Sequence, residues 1–379
     1  MSDVTTPDNA GTRRRRGRLF RWGLPAAVLV VALVVPASGR LLSANASPSL
    51  PARTPAQLLA DVQTARVDGM SGTVVQHSNL GLPQLPGLST GGSGNSGSSS
   101  LTSLIAGTHA MRVWYAGPDK ARLALLGTLG ESDVIVNRRD VWIWSSDQKT
   151  AQHRVLPADT KEKGPAEAPL SPQAAADQAL EAITPTTVVT TGAPTTVAGR
   201  PAYQLVLAPR DTRSLVHEVR IALDSATHVP LQVQALAVGH QDPAFEVGFT
   251  QVSFQRPDDA QFRFTPPPGT KVTEVPAPAG KPAGEATGKA QGKTGTTQAV
   301  EAAQPKVVGT GWTSVIVVKT GGAGTSPEIA NIVNSLPRVS GAWGSGALLR
   351  SSLASVLITD DGRVIAGAVA PELLYAAAR

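Results

Sequence analysis

Six histidines, at 77, 109, 153, 217, 228 and 240, are the first residues to weigh as metal ligands or general bases. They form no His-x-x-x-His pair, and no carboxylate falls at ligand spacing from any of them. His217 and Glu218 adjoin within a strand-like run, where neighbours point to opposite faces and cannot act together on one substrate. Asp258-Asp259 reads as a solvated turn. Cysteine is absent, which removes thiol nucleophiles, Cys-ligated zinc, disulfides and lipid-anchoring cysteines. Neither a G-x-S-x-G elbow nor a Walker loop occurs. Gly92, Gly94 and Gly97 spell G-x-G-x-x-G, but no strand precedes them and no apolar helix follows, so they read as linker. The sequence points away from an enzyme and calls for no metal or cofactor.

These searches leave the strands. Pro201 to Phe254 carries four in a row, Ala202–Ala208, Leu215–Leu223, Leu231–Val238 and Ala244–Phe254, with turn residues between them. Tyr203, Leu205 and Leu207, then Val219, Ile221 and Leu223, then Phe245, Val247 and Phe249 keep a period of two. That spacing predicts an antiparallel meander with one buried face. The apolar phase slips by one after Phe249, and a bulge near Thr250 would return Val252 and Phe254 to the core face. Upstream, Ser71–Gln76, Thr108–Tyr115, Lys120–Leu126, Ser132–Val136, Val141–Ser145 and Ala151–Leu156 bring the expected total to about ten strands. Trp142 and Trp144 share a strand face opposite Val141 and Ile143, either at a ligand mouth or in cross-strand packing, with packing preferred.

Helices frame these strands. Thr54-Pro55-Ala56-Gln57 has a capping residue, a proline suited to the first turn and a Gln that completes a capping box. Leu58, Leu59, Val62 and Ala65 then form one apolar stripe. A second helix is expected from Ser171 to Ile183. Residues 77–107 are a long insertion: Leu80-Gly81-Leu82-Pro83-Gln84-Leu85-Pro86, read as an apolar flap or as a loop on the sheet edge, and a Gly/Ser tract. Residues 276–305 are a disordered linker rich in Pro, Ala, Gly and Lys. A small C-terminal α/β unit follows at 307–379. It has a strand Thr313–Lys319, a helix starting at Ser326-Pro327-Glu328, a hairpin around Asp360-Asp361-Gly362 and a closing helix Pro371–Ala378. It either folds alone or completes the larger sheet.

The formal charge of +6 belongs to the leader. Residues 1–46 hold seven Arg and two Asp, leaving 27 basic and 26 acidic residues in 47–379. A nucleic-acid partner is therefore not expected. Arg13-Arg14-Arg15-Arg16-Gly17-Arg18 precedes the apolar run Leu24–Val35, and Ala44-x-Ala46 fits a signal-peptidase site. Residues 1–46 thus read as a cleaved signal peptide or as an N-terminal membrane anchor. Either places the rest of the chain outside the cytoplasm, secreted or anchored.

Three runs carry a family likeness. Arg112-Val113-Trp114-Tyr115-Ala116-Gly117-Pro118-Asp119-Lys120-Ala121-Arg122 resembles the strand, proline turn, strand signature of the LolA-like superfamily, which includes periplasmic lipoprotein carriers and the MucB/RseB regulators. Asp133 to Trp144 resembles that family's following hairpin. Phe262-Arg263-Phe264-Thr265-Pro266-Pro267-Pro268-Gly269 is similar to its F-x-F-x-x-P-x-G close. The likeness covers roughly residues 54–275, and the Ala/Gly/Val/Arg-rich composition resembles that of actinobacterial proteins. One departure is plain: where proteobacterial carriers place a lid-latching arginine before the proline, this chain has Gly117.

The resemblance implies an α+β fold, a curved antiparallel sheet forming an incomplete β-barrel covered by helices, with acyl chains held between sheet and helices. Apolar contact suffices for such a ligand, at about 0.8 kcal/mol per buried CH2. Candidate cavity residues are Leu123, Leu125, Ile135, Ile143, Leu205, Leu207, Ile221, Val233, Phe245 and Phe249, all of which would equally serve the sheet's own core. The implied function is an extracytoplasmic lipid- or lipoprotein-binding carrier. The two-unit layout suggests instead an RseB/MucB-like sensor of a membrane anti-sigma factor, and an envelope-associated structural module is the third reading. Oligomeric state is not expressed in the sequence.

Overall fold

Thr54 and Gln57 cap each other: the Gln57 amide donates to Thr54 Oγ1 at 3.2 Å, and the Thr54 amide donates to Gln57 Oε1 at 2.9 Å. This reciprocal cap, with Pro55 at the first helical position, starts helix α1, Pro55–Thr64. Leu58 of α1 is buried against Tyr203, Leu205 and Leu223. The computed structural model describes residues 48–82, 106–127, 130–156, 184–275, 305–319 and 333–379. The leader, most of the insertion, the helix expected from Ser171, the linker and the start of the helix expected at Ser326 lie outside the described residues.

After α1 the described residues are mostly strand. In order come β1 (Met70–Ser78), β2 (Gly107–Tyr115), β3 (Lys120–Leu126), β4 (Glu131–Asn137), β5 (Asp140–Ser145) and β6 (Thr150–Val155). Then follow β7 (Thr187–Val197), β8 (Arg200–Pro209), β9 (Val216–Asp224), β10 (Pro230–Ala237), β11 (Pro243–Ser253) and β12 (Lys271–Glu274). They build one twelve-stranded sheet in the order β12-β6-β5-β4-β3-β2-β1-β11-β10-β9-β8-β7. The sheet is two antiparallel meanders, β1–β6 and β7–β11, joined where β1 pairs with β11. Only the β12–β6 edge pairing is parallel.

The ten expected strands are all present. β7 and β12 were not foreseen. Thr250 is the extra residue of a bulge: Thr73 faces Gln251 and the next residue, Val74, faces Phe249. The phase slip after Phe249 thus resolves as expected, with Val252 back beside Gly72.

The sheet is open, with β12 and β7 as its edges, in keeping with an unclosed half-barrel. Among the described residues, α1 packs on the large sheet at its β7–β8 end and a short 3-10 turn, Asp259–Phe262, packs on β3 and β4; the second helix expected as cover, Ser171 to Ile183, lies outside the described residues.

A separate six-stranded sheet, order β13-β14-β18-β17-β16-β15, is formed by β13 (Lys306–Val308), β14 (Val315–Lys319), β15 (Arg338–Gly341), β16 (Gly344–Arg350), β17 (Ser355–Thr359) and β18 (Arg363–Gly367). Helix α2, Pro371–Ala377, closes its core of Val315, Leu348, Leu357, Ile365, Val369 and Leu374. The two sheets meet along the turn before β9. The Leu215 amide donates to Ala368 O at 2.9 Å, and Ser214 bridges Val369. Trp312 Nε1 donates to Thr187 Oγ1 at 2.8 Å.

Candidate functional site

Strand register sorts the side chains of the large sheet into two faces of opposite chemistry. Row by row, Leu125 lies beside Met111, Val74 and Phe249, and Leu123 beside Val113 and Gly72. Leu205 lies beside Ile221, Val233 and Val247. These residues share the face on which α1 sits, since Leu58 packs on Tyr203, Leu205 and Leu223. Leu207 and Phe245 belong to the same face, as does Ile143 through its pairing with Val134.

Nine of the ten candidate cavity residues therefore lie on one surface. Ile135 does not. It pairs with Arg122 and Trp142 and shares their face, the opposite one, where it is 1% exposed. Register sets it apart from the other nine: Val134 and Val136, its neighbours, hold the α1 face.

The α1 face carries no Asp, Glu, Lys or Arg anywhere in β1–β5 or β8–β11. Every such residue in those nine strands, from Arg112 and Arg122 to Glu218, Arg220 and Glu246, points to the other side. Within the α1 face, one apolar cluster gathers Val74, Met111 and Leu125 with Leu123, Val247 and Phe249. A second gathers the α1 residues with Leu205, Leu207 and Ile221. Val233 and Phe245 sit half-buried between them. Ile143, at the β5 end, is 40% exposed.

The opposite face is a network of charge and aromatic rings. Arg122 grips the buried Asp133 with Nε and Nη2 at 3.1 and 3.0 Å, and reaches Glu131 at 3.4 Å. Burial, reinforced by the neighbouring Asp133, pushes the Glu131 carboxyl up from its ordinary value. Arg112 and Arg122 both lie 5.2 Å from the centroid of Trp114. Trp142 stacks on His153 at 4.1 Å, and Phe264 tilts against Trp142 and Trp144 at 5.2 and 5.8 Å. The two tryptophans are thus engaged in packing on the face away from α1. Phe264 belongs to the run that resembles the family's closing motif. Its neighbour segment is tied down by Lys120 and Asp259 at 2.8 Å.

His153 offers one nitrogen to Glu274 at 2.9 Å and the other to Asp140 at 3.1 Å. Among the described residues, no group of three or more His, Cys, Asp or Glu is arranged to hold a metal ion. Gly117 turns β2 into β3 with φ of 90°, a conformation that disfavours any side chain, so a latching arginine does not suit this position.

No family model and no curated protein matches the chain. Among solved structures it is similar to MucB, at 14% identity over 84% of this chain and 93% of that one, with a TM-score of 0.39. It is similar to MucB again in the Pseudomonas aeruginosa MucA/MucB complex, at 16% identity, 85% and 94% coverage and a TM-score of 0.39. A LolA-superfamily protein from Nitrosomonas europaea is 12% identical over 56% of this chain and 99% of its own, with a TM-score of 0.21. The chemistry of the site follows from its own residues.

Proposed function

We propose that this protein binds the acyl chains of a lipid or lipoprotein on the α1 face of its large sheet, outside the cytoplasm. The observation that supports this is the complete partition of charge: an apolar, uncharged face runs across nine strands while every ionised side chain of those strands lies behind it. Here α1 reaches one end, and Ile143 at the other end is 40% exposed. Leu123, Leu125, Leu205, Leu207, Ile221, Val233, Phe245 and Phe249 complete the surface. The export leader in residues 1–46 supports the location. Residues 54–275 and 307–379 are then a binding domain and an accessory domain joined by the linker.

Native mass spectrometry of residues 47–379 recovered from membrane extracts tests this. Retained lipid is expected, and a preparation that never holds lipid or detergent overturns the proposal.

A second reading has an observation of its own. The small sheet is hydrogen-bonded to the large one through Ser214, Leu215 and Thr187, so a partner that engages one sheet is linked to the other by these bonds. This favours a sensor of a membrane protein, the arrangement suggested by the MucA/MucB complex. Deleting residues 307–379 separates the two, since a carrier keeps its ligand and a sensor loses its partner.

A further inference from the structure

We infer that Arg154 is the headgroup anchor of the proposed apolar face, and that the ligand is an anionic amphiphile whose head is a carboxylate or a phosphate. This rests on the acyl-binding reading above.

His153 and Arg154 are neighbours on β6 and point to opposite faces. His153 is fixed on the charged face by Asp140, Glu274 and the Trp142 ring. Arg154 is therefore on the α1 face, paired across the sheet with Val141, which pairs in turn with Val136. It is half-buried, and among the described residues its guanidinium makes no hydrogen bond, ion pair or ring contact. The strands flanking it on that face offer Val141, Ile143 and Ser145 from β5, and Lys271 and Thr273 from β12, none of them acidic. The one carboxylate of β5, Asp140, lies on the other face and is held by His153.

With no counter-ion among the described residues, the planar fork of Arg154 is free to match a carboxylate or phosphate in two parallel hydrogen bonds. The same corner holds two further arginines. The β4–β5 turn beside the end of β6 carries Arg138, exposed with φ of 58°, and Arg139, whose Nε donates to Leu156 O. Ile143 adjoins Arg154 on this face, one strand over and one row along. From there the uncharged surface continues through Val134, Leu123 and Val113 toward Phe249. Five strand spacings separate β6 from β1, about 24 Å, a length matched by one long acyl chain lying across the strands with its head at Arg154.

Three probes with the same chain decide the matter: hexadecyl phosphate, hexadecanoate and hexadecanol, titrated into the full chain with its leader removed and followed by calorimetry. The anionic probes should bind at least about tenfold more tightly than hexadecanol, the range expected for a charge-assisted bond, and the tighter of the two identifies phosphate or carboxylate as the head. Arg154→Gln should abolish that preference and leave hexadecanol binding unchanged. Arg154→Lys should keep part of the preference and guards against a folding defect, checked by circular dichroism. Equal binding of all three probes, or an unchanged preference in Arg154→Gln, overturns the headgroup assignment while leaving acyl binding intact. Failure of every probe to bind overturns both.

Discussion

Gly72 lies directly under the ring of Phe249. A Cβ at position 72 would stand 2.8 Å from Phe249 Cδ1 and 2.3 Å from the main-chain oxygen of Gln251. The bulge at Thr250 brings that carbonyl inward, and only a residue without a side chain tolerates it. Gly72→Ala should therefore destabilise the protein by about 1–3 kcal/mol, read as a lower urea midpoint at unchanged slope. Adding Phe249→Ala should recover little, because the closer obstacle is backbone. A Gly72→Ala protein as stable as the parent would show that the bulge is not rigid.

Asp224 is fully buried and holds the β9–β10 turn together. It accepts from Arg200, from the Thr227 amide at 2.8 Å and from the Ala226 amide at 3.2 Å. Burial alone would raise its pKa; Arg200 and Thr227 outweigh that and hold it below the ordinary value. A depressed carboxyl contributes stability that is present above the unfolded value near 3.9 and lost as pH falls through the folded one. Asp224→Asn should cost about 3 kcal/mol at pH 7 and flatten the acid limb of a denaturation series run from pH 6 to pH 2. An acid limb of unchanged steepness in the variant would assign it to other carboxylates.

His153 gives a hydrogen bond to a carboxylate from each ring nitrogen, which requires the imidazolium. Burial is the largest single influence and opposes the charge, but the bonds to Glu274 and Asp140 together prevail and raise the pKa above the ordinary value. The sign is opposite to that of Asp224. Its contribution is complete below the unfolded value near 6.5 and disappears as pH rises through the raised one. Thermal midpoints should fall from pH 6 toward pH 9 in the parent and stay level in His153→Gln. The ring's titration, followed by NMR, should have a midpoint above that of a free histidine.

Much of this was legible because the strands alternate cleanly. Leu205 and Leu207 on β8, or Phe245, Val247 and Phe249 on β11, announce their shared face without any structure, and even the Thr250 bulge is visible as a broken phase. β7 was missed for a physical reason. Gly192 and Pro194 look like breakers, yet β7 is an edge strand whose register shifts between Gly192 and Thr195, where a proline is tolerated. Its Thr- and Val-rich composition was the signal available. β12 pairs in parallel with β6 across a gap of more than a hundred residues, a relation that local pattern does not encode. Arg154 was passed over because a single arginine in a polar strand end carries no message until register shows which face it shares.

Register also separates two isoleucines that the sequence treats alike. Ile135 is 1% exposed on the charged face, and Ile143 is 40% exposed on the uncharged one. Ile135→Ala should remove about 2–4 kcal/mol of stability by leaving a cavity, while hexadecanol binding per folded molecule stays the same. Ile143→Asp should change stability little, since the position is open to water, but places a carboxylate on a face that carries none in β1–β5 or β8–β11. Its cost falls on the ligand, whose chain would have to desolvate that carboxylate and whose head would have to compete with it for Arg154, one strand over. Calorimetric titration of both variants with hexadecanol checks the pair. Loss of binding in Ile135→Ala with retention in Ile143→Asp would place the acyl site on the wrong side of the sheet.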